Sequence, residues 1–104
     1  MSRRVVYFNG DYVPESEARV SIFDSALMFG DMAFEMTRTF LGEPFRLDEH
    51  LDRLYASLRL LEIDCGLSIE ELREQTLVTL EKNRSTEVEG MEWWCMHAVA
   101  RGPV

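Results

Sequence analysis

The sequence predicts an α+β fold, a two-layer sandwich with a mainly antiparallel sheet and two helices on one face. Three observations carry this. Val5 to Phe8 and Tyr12 to Val13 flank Asn9-Gly10-Asp11, a hairpin signal, because Asn and Gly tolerate positive φ. A long extended stretch, Asp31 to Phe40, is followed by Gly42-Glu43-Pro44, which turns it back into Phe45 to Leu47. Two segments of helical periodicity then follow one another directly, as expected for helices packed side by side on a sheet.

Taken in order, the elements read as hairpin, loop, hairpin, two helices and strand. Pro14 to Ala18 is polar and reads as a surface loop, and Val20 to Phe23 as a short strand. Asp24 to Gly30 is an apolar loop with room for one helical turn. Asp48 caps a first helix that runs to about Ile63, with Leu51, Leu54, Tyr55, Leu58 and Leu61 on one stripe. Cys65-Gly66 ends it. Ser68-Ile69-Glu70-Glu71 has the spacing of a capping box and opens a second helix. That helix turns Ile69, Leu72, Thr76 and Leu80 inward and ends near Asn83. Glu87 to Glu92 is an acidic turn. Trp93 to Ala100 is apolar on both faces, the pattern of a central strand covered on both sides.

The chain has 104 residues and is 46% apolar, enough for one domain with one modest core, residues 1–104. The net charge of −8 argues against a nucleic-acid partner, which needs a basic face. Cys65 and Cys95 have neither metal-ligand spacing nor a disulfide framework, so no metal site is expected. They read as buried free thiols in a reducing compartment, and cytoplasmic is the expected location. The opening Met1 to Gly10 lacks the apolar run of a signal peptide, and no apolar run is long enough to span a membrane.

Strand parity places Met32, Phe34, Met36, Arg38 and Phe40 on one face of the long strand, with Ala33, Glu35, Thr37 and Thr39 on the other. Arg53 lies well off the apolar stripe of its helix, so packing does not explain it. Arginine offers a planar fork of donors matched to carboxylate or phosphate. On spacing alone, however, Arg38 and Arg53 are ordinary exposed residues, and Phe34 and Met36 read equally well as core.

A wider pattern adds to this. The segments Val5 to Val13, F-G-D-M-A-F-E-M-T-R from Phe29 to Arg38, P-F-R-L-D-E-H-L-D-R-L-Y-A-S from Pro44 to Ser57, and A-R-G from Ala100 to Gly102 stand in one order and spacing. Together they closely resemble the N-terminal small domain of class IV (fold type IV) aminotransferases. That family includes branched-chain aminotransferases, D-amino-acid aminotransferases and aminodeoxychorismate lyases, and its enzymes use pyridoxal 5'-phosphate.

The resemblance implies roles. Phe34, Met36 and Arg38 would line the substrate pocket. Many branched-chain members carry Gly where Met36 stands, in an F-E-G-x-R motif, so a methionine there should narrow the pocket. Arg53, inside H-L-D-R-L, would contact the cofactor phosphate, with His50 a packing or hydrogen-bonding residue beside it. Arg101 resembles the arginine of a T-R-G motif that binds the substrate carboxylate across a dimer interface, with Ala100 in place of Thr. A homodimer acting on an amino acid (branched-chain-like or D-amino acid) and a 2-oxo acid is implied.

The chemistry also needs a lysine amine that forms a Schiff base with the cofactor. The only lysine, Lys82, stands among Glu81, Asn83 and Arg84, where nothing activates it. The resemblance places the catalytic lysine in a larger C-terminal domain outside this chain, and the end at Arg-Gly-Pro-Val reads as a truncation. The alternatives are an aminodeoxychorismate-lyase-like enzyme on the same scaffold, or a stand-alone domain that keeps the fold for binding or dimerisation.

Overall fold

The structure of the protein, a computed structural model, describes residues 4–104. Met1 to Arg3, the first residues of the segment read above as lacking a signal peptide's apolar run, lie outside the described residues. The fold is α+β and its strand pairings are antiparallel. The expected single sheet is instead two: a hairpin of β1 (Val5–Phe8) and β2 (Asp11–Pro14), and a three-stranded sheet in the order β4-β3-β5.

The first hairpin is as the sequence requires. Phe8 faces Asp11 in register, so the loop is Asn9-Gly10 alone, with φ of 50° and 93°. Two positive φ values match the twist of the strands. Val20 to Phe23, read above as a strand, is not one; only Asp24 makes an isolated bridge, to Pro103. Asp24 caps the short helix α1 (Ser25–Phe29), its carboxylate accepting from the Ala26 N–H.

β3 (Met32–Phe40) is the spine of the larger sheet. Its turn is Leu41-Gly42, both at positive φ, and Glu43–Pro44 is the short strand β4 rather than part of the turn. Leucine is an unusual occupant of that conformation. Glu92 holds it there, accepting from Leu41 N–H at 2.8 Å, Gly42 N–H at 3.2 Å and the Thr39 hydroxyl at 2.6 Å. The acidic turn thus contributes a clamp, and these donors keep the Glu92 carboxyl below its usual pKa.

α2 (Leu47–Leu61) begins after Arg46, which is left-handed and makes no side-chain cap. Asp48 is therefore not the cap. It sits in the first turn, where a negative charge favours the helix dipole, and it accepts from Arg73 Nε at 2.8 Å. The helix stops at Leu61, short of Ile63, because Glu62 turns left-handed and returns its N–H to Leu58 and Arg59. Leu51 and Leu54 are fully buried and Leu58 nearly so, forming the core with Ala33, Leu47 and Ile63; Leu61 lies outside it. Each buried leucine stabilises the fold by roughly 1.5–3 kcal/mol.

α3 (Ile69–Asn83) opens with the predicted capping box, in which Ser68 and Glu71 exchange both bonds. At its far end Asn83 is buried and bonds both the N–H and the carbonyl of Val5, at 2.8 and 2.9 Å, so the helix holds the hairpin. β5 (Trp94–Ala100) pairs with β3 from Met32↔Ala100 to Arg38↔Trp94. It is an edge strand among the described residues, not a central one, and Trp94 and Met96 are exposed. Both helices lie on the face of the sheet that carries Glu35 and His97, which bond to Arg53 of α2 and Thr76 of α3.

Candidate functional site

β3 divides the chemistry by parity. Glu35 points to the helix side and is buried; its neighbours Phe34, Met36 and Arg38 point to the open side. α2 covers the helix side and brings two residues of its off-stripe face to Glu35. Arg53 donates to it twice, Nε to Oε2 at 2.7 Å and Nη2 to Oε1 at 2.8 Å. His50 Nδ1 lies 2.8 Å from Oε1, and because a carboxylate only accepts, the imidazole donates there. The bonds from Arg53 chiefly, then His50, hold the Glu35 carboxyl at about 2 against the opposing effect of burial. The Arg53 side chain is 70% exposed.

This pair has an acid signature. Glu35 ionises at about 2 in the folded chain against an ordinary 4.5. Its contribution to stability is therefore present above about pH 4.5 and drains away as pH falls toward 2. Chemical denaturation between about pH 5 and pH 2 should show stability falling, and Glu35→Gln should flatten part of that slope. Equal slopes in both proteins would rule out the pair as a source.

On the open face, Phe34 and Trp94 are 58% and 65% exposed, and Met36 lies directly across from Met96. The Arg38 guanidinium sits 4.3 Å over the Phe40 ring; it acts on the Glu92 carboxylate through space. Arg101 is different. It donates from Nε to Asp31 at 2.6 Å, and from Nη2 and Nη1 to the carbonyls of Leu61 and Glu62 at 2.7 and 3.2 Å. It binds the last strand to the C-terminus of α2, where a cation suits the helix dipole. The predicted site residues thus fall into three places: Arg53 on the helix side, Phe34, Met36 and Arg38 on the open side, and Arg101 at the sheet's end. β4 pairs only with Thr39 and Phe40, so the edge of β3 before Arg38 has no strand beside it among the described residues.

Sequence reasoning missed Glu35 as a site residue, although strand parity already set it apart from Phe34 and Arg38. It also missed His97. That side chain is buried, and burial lowers its pKa, so the ring is neutral. Thr76 gives its hydroxyl hydrogen to Leu72 O at 2.7 Å and so accepts from His97 Nε2 at 2.8 Å. Nδ1 is then a bare acceptor without a partner among the described residues. The expected free cysteines are both partly buried, and burial raises the Cys95 thiol to about 11. Lys82 is exposed, 4.7 Å over the Tyr12 ring on the hairpin. Among the described residues no cluster could hold a metal ion, and no helix is long and apolar enough to cross a membrane.

The sequence model of the family described as amino-transferase class IV matches residues 32–103, the span from β3 to just past the end of β5. The chain belongs to this family. A Methanocaldococcus jannaschii protein assigned as a branched-chain-amino-acid aminotransferase is 46% identical over 78 residues, covering 75% of this chain and 27% of that protein. A D-alanine aminotransferase of Staphylococcus haemolyticus is 33% identical, covering 75% of this chain and 28% of the relative. Among solved structures, the branched-chain amino acid aminotransferase of Escherichia coli superposes with a TM-score of 0.81 at 27% identity, over 95% of this chain and 32% of that one. The T.th. branched-chain amino acid aminotransferase, solved with pyridoxamine 5'-phosphate, gives 0.71 at 32% identity, over 80% and 29%. The chain spans about a quarter to a third of the length of these relatives.

Proposed function

We propose that residues 1–104 are the N-terminal small domain of a pyridoxal-phosphate-dependent aminotransferase. The complete enzyme moves an amino group between an amino acid, branched-chain-like or D-, and a 2-oxo acid. It works in the cytoplasm as a homodimer. The single observation that carries this reading is Arg53. Two of its donors are fixed on Glu35, and its side chain is otherwise largely exposed. An arginine has five N–H donors, so three are left for an oxyanion. That donor set fits a phosphate dianion.

Bound pyridoxal phosphate supplies the electron sink for amino-group transfer. The activated amine comes from a lysine outside this chain, because Lys82 is an exposed side chain over the Tyr12 ring of the hairpin. The chain's own residues bind and shape. Arg53 holds the phosphate. Phe34 and Met36 form an apolar wall that keeps water from the reacting atoms. Arg38, whose guanidinium lies on the open face over the Phe40 ring, takes the substrate carboxylate. Arg101 is the weaker candidate for that carboxylate, because Asp31 and two carbonyls already engage it.

A polypeptide of family length carrying these residues should bind pyridoxal phosphate with visible-range absorbance and transaminate. With excess cofactor, no bound absorbance would favour the stand-alone binding domain. Absorbance with release of pyruvate from an aminodeoxychorismate-like substrate, and no transfer, would favour the lyase.

A further inference from the structure

We propose that Glu35, supported by His50, is the positioning residue that aims Arg53 at the cofactor phosphate. This rests on the reading of Arg53 as the phosphate ligand. An arginine mostly exposed on a helix has a long, flexible side chain and no fixed direction. Here its guanidinium plane is set by two bonds to one carboxylate, at 2.7 and 2.8 Å. That carboxylate belongs to the middle of β3, where Glu35 stands opposite His97 in the ladder. The direction of Arg53 is therefore dictated by the sheet rather than by its own helix. His50 donates to Oε1 at 2.8 Å, the oxygen that Arg53 Nη2 also bonds, and so adds a second residue of α2 that holds the carboxylate.

The charges point the same way. Glu35 has the same sign as a phosphate, so by electrostatics alone it works against binding beside Arg53. Its burial is also costly, and it is tolerated because three donors converge on it. A residue that opposes the ligand's charge, yet grips the ligand's anchor at two points of its fork, serves orientation. The grip uses Nε and Nη2 and leaves Nη1 and the outer hydrogen of Nη2 along one edge, the edge a phosphate can straddle.

A double-mutant cycle in the family-length holoenzyme tests this, with pyridoxal 5'-phosphate and phosphate-free pyridoxal as probes. Glu35→Ala should weaken pyridoxal phosphate binding about tenfold, and weaken it less than about twofold when Arg53 is already alanine. Pyridoxal affinity should stay within about twofold throughout. If Glu35→Ala does not fold, Glu35→Gln, which keeps volume and one acceptor, carries the same cycle with a smaller loss. The Arg53 Nε–H should exchange with solvent faster in Glu35→Ala than in the parent, because its acceptor is gone. Tighter phosphate binding on removing Glu35 would overturn the proposal, as would an equal loss with and without Arg53. No effect of Arg53→Ala would sink the phosphate reading itself, and this proposal with it.

Discussion

Arg53→Ala should weaken pyridoxal phosphate binding by roughly 10- to 100-fold in the family-length enzyme, the range expected for loss of a charge-assisted contact to a dianion. The expected effect is large because no nearby cation of α2 substitutes. Arg46, just before the helix, bonds Glu49 in the first turn, and Arg59 lies in the last turn. The loss should fall on the phosphate, so the ratio of affinities for pyridoxal phosphate and pyridoxal should drop by the same factor. Arg53→Lys should recover only part of it. A lysine keeps the charge but has no fork, so it can hold either Glu35 or the phosphate well, not both. Equilibrium titration of the apoenzyme, read by cofactor absorbance, measures each constant. A change below about twofold in Arg53→Ala would end the phosphate role.

How far this site could be read from the sequence depends on the range of each signal. Local chemistry was legible: the Asn9-Gly10 turn, the Ser68–Glu71 box, the Leu51–Leu54–Leu58 stripe and the parity of β3 are all set by neighbours in sequence. What failed was decided at long range. The composition that makes Trp93 to Ala100 apolar on both sides looks like a central strand, yet the strand order leaves β5 at an edge with one face open. Asp48 looked like a helix cap because capping residues are common there, but the left-handed Arg46 had already set the start and Asp48 turned to Arg73. Val20 to Phe23 had strand composition, but the link there is short, the Phe23 carbonyl accepting from Val104 N–H at 2.9 Å beside the Asp24–Pro103 bridge, and no strand forms. At the site, Arg53 stood out because it lay off the apolar stripe. Glu35 did not, since its partners are 15 and 18 residues away and nothing in the local pattern joins them.

The 104-residue chain by itself should show no transamination and should self-associate at low micromolar concentration. The first half follows from the amines. Lys82 lies exposed over the Tyr12 ring on the hairpin, with no apolar surroundings to desolvate its amine. Beside that, one small domain cannot enclose both cofactor and substrate in a dry pocket. The second half follows from the sheet. Phe34, Met36, Trp94 and Met96 lie on one face of paired strands, all exposed, with Phe40 beyond them. Apolar surface of that extent is what drives proteins together. Among the described residues no strand pairs with the outer edge of β5, which adds a row of open backbone groups, a template for pairing with another strand. Both features would be covered if a larger domain closed over the open face, which is the arrangement the proposed function requires. Sedimentation or light scattering across a dilution series, together with binding of a hydrophobic dye, separates the cases. Concentration-dependent growth in mass with dye binding is the expected result, and Met36→Lys together with Met96→Lys should reduce both. A clean monomer that leaves the dye unbound would mean that this face needs no covering, and would favour an autonomous domain. Transamination by the isolated chain would require an activated amine that Lys82 does not supply, and would overturn the proposal that the reactive lysine lies elsewhere.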